Sequence, residues 1–150
     1  MKPKVYLETS VISYLASRPS RDLIMAAHQQ ITQEWWEKRR SKFDLLVSQL
    51  VLQESSGGDK NAAERRNGYV EGLAQVQITE AVIVLAQKLL QASALPSQED
   101  ADAVHGIDYL LTWNLRHIAN AVTRQRIESA CRENGYEPPI ICTPEELMEE

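Results

Sequence analysis

Five short, largely apolar runs are spaced along the chain and separated by segments with helical periodicity. They lie at residues 5–7, 43–47, 76–78, 109–112 and 140–142. Short apolar runs bounded by polar or turn residues are typical of buried strands. Strands that alternate with helices favour a parallel sheet. We therefore expect an α/β fold, a three-layer domain whose mainly parallel sheet of about five short strands is flanked by helices.

Apolar stripes and capping residues predict the helices between these runs. The clearest stripe is Leu23, Ala27, Ile31 and Trp35, which recur every four residues as on an amphipathic helix. Ser48 and Thr79 are expected N-caps. Helices are predicted near 23–40, from 48 to the glycine pair at 57–58, and near 62–73, 80–92, 97–105 and 121–134, with a capping box at 143–146.

Composition excludes several classes of protein. The chain has 150 residues, which fits one domain, and its 21 acidic against 16 basic side chains provide no global basic field for nucleic acid. Its longest apolar stretch is far below the ~20 residues of a membrane span. Glu8 interrupts the first apolar run, so we expect no signal peptide and a cytoplasmic location. Cys131 and Cys142 are expected to be buried as small apolar side chains.

Oxygen-bearing side chains follow several of the predicted strands. Glu8 follows the first run, Glu54 lies on the helix after the second, and Asn114 closes the fourth. Asp102 is on the predicted helix that precedes the fourth run. Ligands of parallel sheets bind beyond the carboxyl ends of the strands, and carboxylate and amide oxygens suit Mg²⁺ or Mn²⁺ rather than zinc. A bound ion of this kind could support phosphodiester hydrolysis.

Each of these residues also has an ordinary structural interpretation. A lone acid at a strand end is more often solvated or helix-initiating, and a lone asparagine more often forms a turn. Thr9 and Ser10 are secondary candidates that helix capping would explain. Arg116 and His117, next to Asn114, are secondary candidates for phosphate contact or proton transfer. Only the joint placement of the acids and the amide favours a site.

Four segments together resemble PIN-domain proteins, including VapC-type toxins. They are Tyr6-Leu7-Glu8-Thr9-Ser10-Val11, residues 48–54, Asp102-Ala103 and Leu110-Leu111-Thr112-Trp113-Asn114. The resemblance spans nearly the whole chain. It implies a PIN-like fold and a Mg²⁺- or Mn²⁺-dependent ribonuclease whose site is Glu8, Glu54, Asp102 and Asn114. It also implies an RNA substrate, a homodimer and a small antitoxin protein that inhibits the enzyme.

The chain departs from the family pattern at two places. Glu8 stands where the family usually has aspartate, and its extra methylene moves the carboxylate ~1.3 Å outward. The helix that carries Asp102 is short by about seven residues, or ~10 Å, relative to the family pattern. Asp102 is therefore expected to fall short of the metal, and Glu99 and Asp100, one turn earlier, are expected to substitute in part.

Three functional hypotheses follow. The first is a working metal-dependent endoribonuclease. The second is a catalytically impaired PIN-like module that binds RNA or an antitoxin-like protein without cleavage. The third, a phosphoacceptor or phosphatase domain, ranks last because its nucleophilic aspartate is missing after the strands, where Glu8 and Ser48 stand instead.

Overall fold

The computed structural model describes residues 1–91 and 105–148. Within them five strands form one sheet, namely β1 (Lys4–Leu7), β2 (Asp44–Val47), β3 (Ala74–Gln75), β4 (Tyr109–Leu111) and β5 (Ile140–Cys142). Every neighbouring pair is parallel. The parallel sheet predicted from the apolar runs is confirmed.

The strand order in the sheet is β3-β2-β1-β4-β5. The chain first extends the sheet from β1 to β3 on one side, and then crosses to the other side of β1 to add β4 and β5. The direction of growth therefore reverses between β1 and β4. In open α/β sheets this reversal leaves a crevice beyond the carboxyl ends of the two central strands, and ligands bind there.

The central strand β1 explains why the fold has three layers. Val5, Tyr6 and Leu7 each have 0% exposed surface. Because successive side chains of a strand point to opposite faces, full burial of all three requires both faces of the sheet to be covered. Helices supply that cover, and the predicted α/β three-layer architecture is confirmed.

Six α-helices lie within the described residues. They are α1 (Thr9–Ala16), α2 (Leu23–Arg39), α3 (Gln49–Ser55), α4 (Lys60–Val70), α5 (Glu80–Gln91) and α6 (Ala121–Glu133). Helices α2, α3 and α4 pack around α1, and α5 packs on α6. Within the described part of the chain, no helix is both long and apolar enough to cross a bilayer.

The predicted caps explain where several helices begin and end. Ser48 Oγ accepts from the Val51 N–H at 3.3 Å, and Thr79 Oγ1 accepts from the Val82 N–H at the same distance. Each cap satisfies a backbone donor that has no partner within the helix. Gly135 follows α6 with φ +80°, a conformation that glycine adopts without steric cost.

The prediction for the third strand is wrong by two residues. The apolar run at 76–78 suggested a strand, but β3 is Ala74–Gln75, and Ile78 is 57% exposed. Register explains the shift. Gln75 pairs with Val47, the last residue of β2, so the chain beyond Val76 has no neighbouring strand to pair with.

The capping box after β5 is confirmed, although the turn that follows is 3₁₀ (Glu145–Leu147). Glu146 Oε1 accepts from the Thr143 N–H at 3.0 Å, and Thr143 Oγ1 accepts from the Glu146 N–H at 3.4 Å. The two residues thus satisfy each other's backbone donors. The predicted helix at 97–105 lies outside the described residues except for its last residue.

Candidate functional site

The register between β1 and β4 brings two polar residues together at the reversal point of the sheet. Leu7 pairs with Leu111, so the residues that follow, Glu8 and Thr112, are neighbours where the strands end. The Glu8 N–H donates to the Leu111 carbonyl at 3.1 Å, which extends the pairing one residue further. Glu8 therefore lies at the carboxyl end of β1, as predicted.

Two hydroxyl groups and a backbone amide hold the Glu8 carboxylate. Oε1 accepts from Ser10 Oγ at 2.5 Å and from Thr112 Oγ1 at 2.6 Å. Oε2 accepts from the Ser10 N–H at 3.2 Å, so Glu8 is the N-cap of α1. The capping role expected of Thr9 or Ser10 thus belongs to Glu8, and Thr9, half-buried, is the first residue of the helix.

The same hydroxyls receive hydrogen bonds from the chain after β4. Ser10 Oγ accepts from the Trp113 N–H at 2.8 Å, and Thr112 Oγ1 accepts from the Asn114 N–H at 2.9 Å. Glu8, Ser10, Thr112 and Asn114 form one connected set, here called the Glu8 network. Each hydroxyl donates to the carboxylate and accepts from an amide, so the carboxylate is held in a fixed position.

Thr112 is the member of the Glu8 network that the sequence candidates omitted. Its side chain is fully buried. A hydroxyl residue directly after an apolar strand was a visible signal, but its importance depends on β4 lying next to β1. That adjacency is a property of the tertiary structure.

Asn114 has a structural role at the start of a turn. Its Oδ1 accepts from the His117 N–H at 3.0 Å, and its carbonyl accepts from the N–H groups of Ile118 and Ala119. The structure therefore brings Asn114 to the site and also gives it the turn-forming interaction expected of a lone asparagine. The secondary candidates Arg116 and His117 are exposed on this turn.

The remaining candidate carboxylates lie at other places in the chain. Glu54 is exposed on α3, which follows β2 and packs against α1. Asp102, Glu99 and Asp100 lie outside the described residues. Their part in the site, and the expected effect of the shortened helix, stay predictions.

The side-chain oxygens of the Glu8 network suit a hard cation. Mg²⁺ and Mn²⁺ prefer oxygen ligands. Within residues 1–91 and 105–148, however, no group of three or more His, Cys, Asp or Glu side chains could hold a metal ion. The described residues therefore do not form a metal site by themselves.

The cysteines are excluded as reactive groups at neutral pH. Both are buried free thiols, as predicted. Burial raises the pKa of Cys131 to about 11 and that of Cys142 to about 12. The Cys142 carbonyl accepts from the Thr112 N–H at 3.0 Å. The backbone of Cys142 thus lies next to the Glu8 network, but its buried thiol is protonated at neutral pH and is a poor nucleophile.

The three tryptophans Trp35, Trp36 and Trp113 pack in the hydrophobic core, where they are at most 8% exposed.

Comparisons with protein-family models, curated proteins and solved structures find no match to this chain.

Proposed function

We propose that this protein is a metal-dependent endoribonuclease of the PIN type, which hydrolyses RNA phosphodiester bonds. The observation that supports it best is the Glu8 network, a carboxylate held by two hydroxyls beside an asparagine at the reversal point of a parallel sheet. Two of the four residues proposed as ligands belong to this network, Glu8 through its carboxylate and Asn114 through its backbone N–H. The other two are Glu54 on α3 and Asp102.

In this proposal the chain's own residues hold and orient the site. Glu8 and Asn114 would contribute oxygen ligands from adjacent strand ends, and Glu54 would contribute a carboxylate from α3. When bound, Mg²⁺ or Mn²⁺ would lower the pKa of a water molecule and stabilise the leaving oxygen. Ser10 and Thr112 position the Glu8 carboxylate through their hydroxyls. Oε1 accepts two hydrogen bonds and Oε2 accepts one, which leaves one lone pair of Oε2 for a cation.

The first experiment measures cleavage of a single-stranded RNA by the purified protein with Mn²⁺, with and without chelator. Glu8→Gln and Glu54→Gln should each abolish cleavage. Glu54→Gln should leave the melting temperature nearly unchanged, whereas Glu8→Gln should lower it, because the Glu8 carboxylate caps α1 and accepts from the Ser10 and Thr112 hydroxyls. Glu133→Gln is the matched control, because Glu133 is exposed at the end of α6, which leads to the amino end of β5, whereas Glu8 lies at the carboxyl end of β1. Cleavage that survives either site variant would refute the ligand role of that residue.

Calorimetry supplies a readout that does not depend on activity. Mn²⁺ uptake by the wild-type protein should be lost in Glu8→Gln and retained in Glu133→Gln. If the wild-type protein takes up no Mn²⁺, the metal-dependent mechanism is wrong.

A catalytically impaired module that binds RNA or an antitoxin-like protein is the second candidate. The turn contact of Asn114 favours it, because the Asn114 Oδ1 already accepts from the His117 N–H. It predicts RNA or partner binding that is unchanged by chelator, without cleavage. A homodimer and a small protein inhibitor are further proposals carried by the family resemblance.

A further inference from the structure

Three aromatic rings lie in near-parallel planes beside the Glu8 network, and we call Tyr14, His28 and Trp113 the aromatic platform. The His28 and Trp113 centroids are 4.1 Å apart, with 14° between the ring planes. The Tyr14 centroid lies 5.9 Å from that of Trp113 and 6.4 Å from that of His28. These distances form a triangle, so the rings make a compact surface instead of a single column.

Trp113 fixes this platform to the site. Its backbone N–H donates to Ser10 Oγ, within the Glu8 network. Its Nε1–H donates to Thr32 Oγ1 at 2.7 Å, and the Thr32 hydroxyl donates to the His28 carbonyl at 2.6 Å. Thr32 is fully buried and Trp113 is 7% exposed. The indole is therefore held at both ends before any ligand arrives.

The other two rings reach the surface. Tyr14 and His28 are half-buried, unlike the indole between their helices. Trp113 stacks against one face of the His28 imidazole. Tyr14 follows Ser10 by four residues on α1, so both lie on one face of that helix, ~6 Å apart along its axis.

Two exposed arginines lie in the connection between the helices that carry Tyr14 and His28. Arg18 and Arg21 follow α1 and precede α2. The buried Gln29 ties this connection to α2, since its Nε2 donates to the Arg18 carbonyl at 3.1 Å and its Oε1 accepts from the Ser20 N–H at 2.8 Å. The backbone that carries these two cationic side chains is thus tied to the helix that carries His28.

We propose that the aromatic platform binds a base of single-stranded RNA next to the phosphate that the Glu8 network engages. The inference rests on the proposed ribonuclease function. Single-stranded nucleic acid is bound by aromatic rings that stack on its bases and by cations that contact its backbone, and both are present here. A stacked strand rises ~3.4 Å per nucleotide, so the ~6 Å offset places the bound base one or two nucleotides from the reacting phosphate.

The test uses a series of short single-stranded RNAs in which a single abasic nucleotide replaces each position in turn. Binding of each RNA is measured by fluorescence anisotropy with Ca²⁺ in place of Mn²⁺. Wild-type protein should lose roughly 5- to 150-fold in affinity when the abasic nucleotide occupies one or two adjacent positions. In Tyr14→Leu and His28→Leu this position-specific loss should disappear. Tyr136→Leu should keep it. Tyr136 is half-buried and packs against His105. The two residues precede β5 and β4, so they lie near the amino ends of these strands, away from the site.

Different results would overturn the aromatic-platform proposal and the ribonuclease proposal. An equal abasic loss in wild type and in the Tyr14 and His28 variants overturns the platform, even if the wild-type protein cleaves RNA. A position-specific loss that depends on Tyr14 and His28 supports the platform, even if no chelator-sensitive cleavage occurs. No binding of RNA by the wild-type protein overturns the platform as well. Circular dichroism melts of the three variants confirm that each remains folded during the measurement.

Discussion

Removing the Thr112 hydroxyl tests whether the hydrogen bonds of the Glu8 network hold the Glu8 carboxylate in position. Thr112→Val keeps the size and branching of this fully buried side chain and deletes its polar atom. The hydroxyl donates to Glu8 Oε1 at 2.6 Å and accepts from the Asn114 N–H at 2.9 Å, so both contacts are lost together. Thr112→Ser is the matched control, because serine keeps the hydroxyl.

The expected magnitude follows from these two contacts. A hydrogen bond to a charged group contributes about 1.5–3 kcal/mol. A backbone N–H without an acceptor costs ~1–3 kcal/mol, and the lower end of that range applies to Asn114, which is half-buried and within reach of water. We expect Thr112→Val to lower the free energy of unfolding by about 2–4 kcal/mol in total. Thr112→Ser loses one buried methyl group, about 1 kcal/mol.

Two assays check this expectation. In thermal melts, Thr112→Val should lower Tm by roughly 4–16 °C and Thr112→Ser by about 2–4 °C, at ~2–4 °C per kcal/mol for a domain of this size. In calorimetry, Mn²⁺ binding should weaken by about 10- to 100-fold in Thr112→Val, since groups that orient a metal ligand have effects of that size. Equal melting temperatures for the two variants would refute the reasoning.

Three further predictions concern other parts of the molecule. Thr32→Val should cost about 1–3 kcal/mol in urea unfolding because it leaves the Trp113 Nε1–H without its acceptor, whereas Thr32→Ser should cost less. The thiols of Cys131 and Cys142 have raised pKa values in the folded protein. Above pH 9.0, the ordinary pKa of a cysteine, the unfolded chain therefore loses thiol protons that the folded protein retains. Their contribution to stability is therefore complete below about pH 9 and lost as pH rises toward 11, by ~1.4 kcal/mol per pH unit and thiol. The double variant Cys131→Ala, Cys142→Ala should show a flatter decline in its urea midpoint over that interval. Gly135→Ala should lower the free energy of unfolding by about 1–2 kcal/mol through its φ of +80° alone, because no atom lies within 4 Å of the added Cβ, and Gly135→Asn should be milder.

Local sequence patterns predicted the elements well where burial and capping act over a few residues. The run at 140–142 became β5 with the same bounds, and the reciprocal bonds of Thr143 and Glu146 were readable from their spacing. Glu8 could be placed at a strand end because it directly follows three buried residues. The third strand was misplaced because its bounds depend on where β2 ends, which is not a local property.

The candidate site was predictable only in part for the same reason. The pattern identified Glu8 and Asn114 as residues that follow strands, and the structure brings both into the Glu8 network. It gave no means to see that Thr112 donates to Glu8, since 104 residues separate them along the chain. The stacking of His28 on Trp113 was equally hidden.

The amino-acid sequence by itself determined that apolar runs alternate with helices, and hence a parallel sheet with acids at its strand ends. Those features follow from short-range periodicity and capping. Only the tertiary structure decided that β4 lies beside β1, that Thr112 holds the Glu8 carboxylate, and that the rings of Tyr14, His28 and Trp113 stack. Strand order and register are set by pairing between distant segments, because burial of the whole sheet selects among arrangements that are locally equivalent.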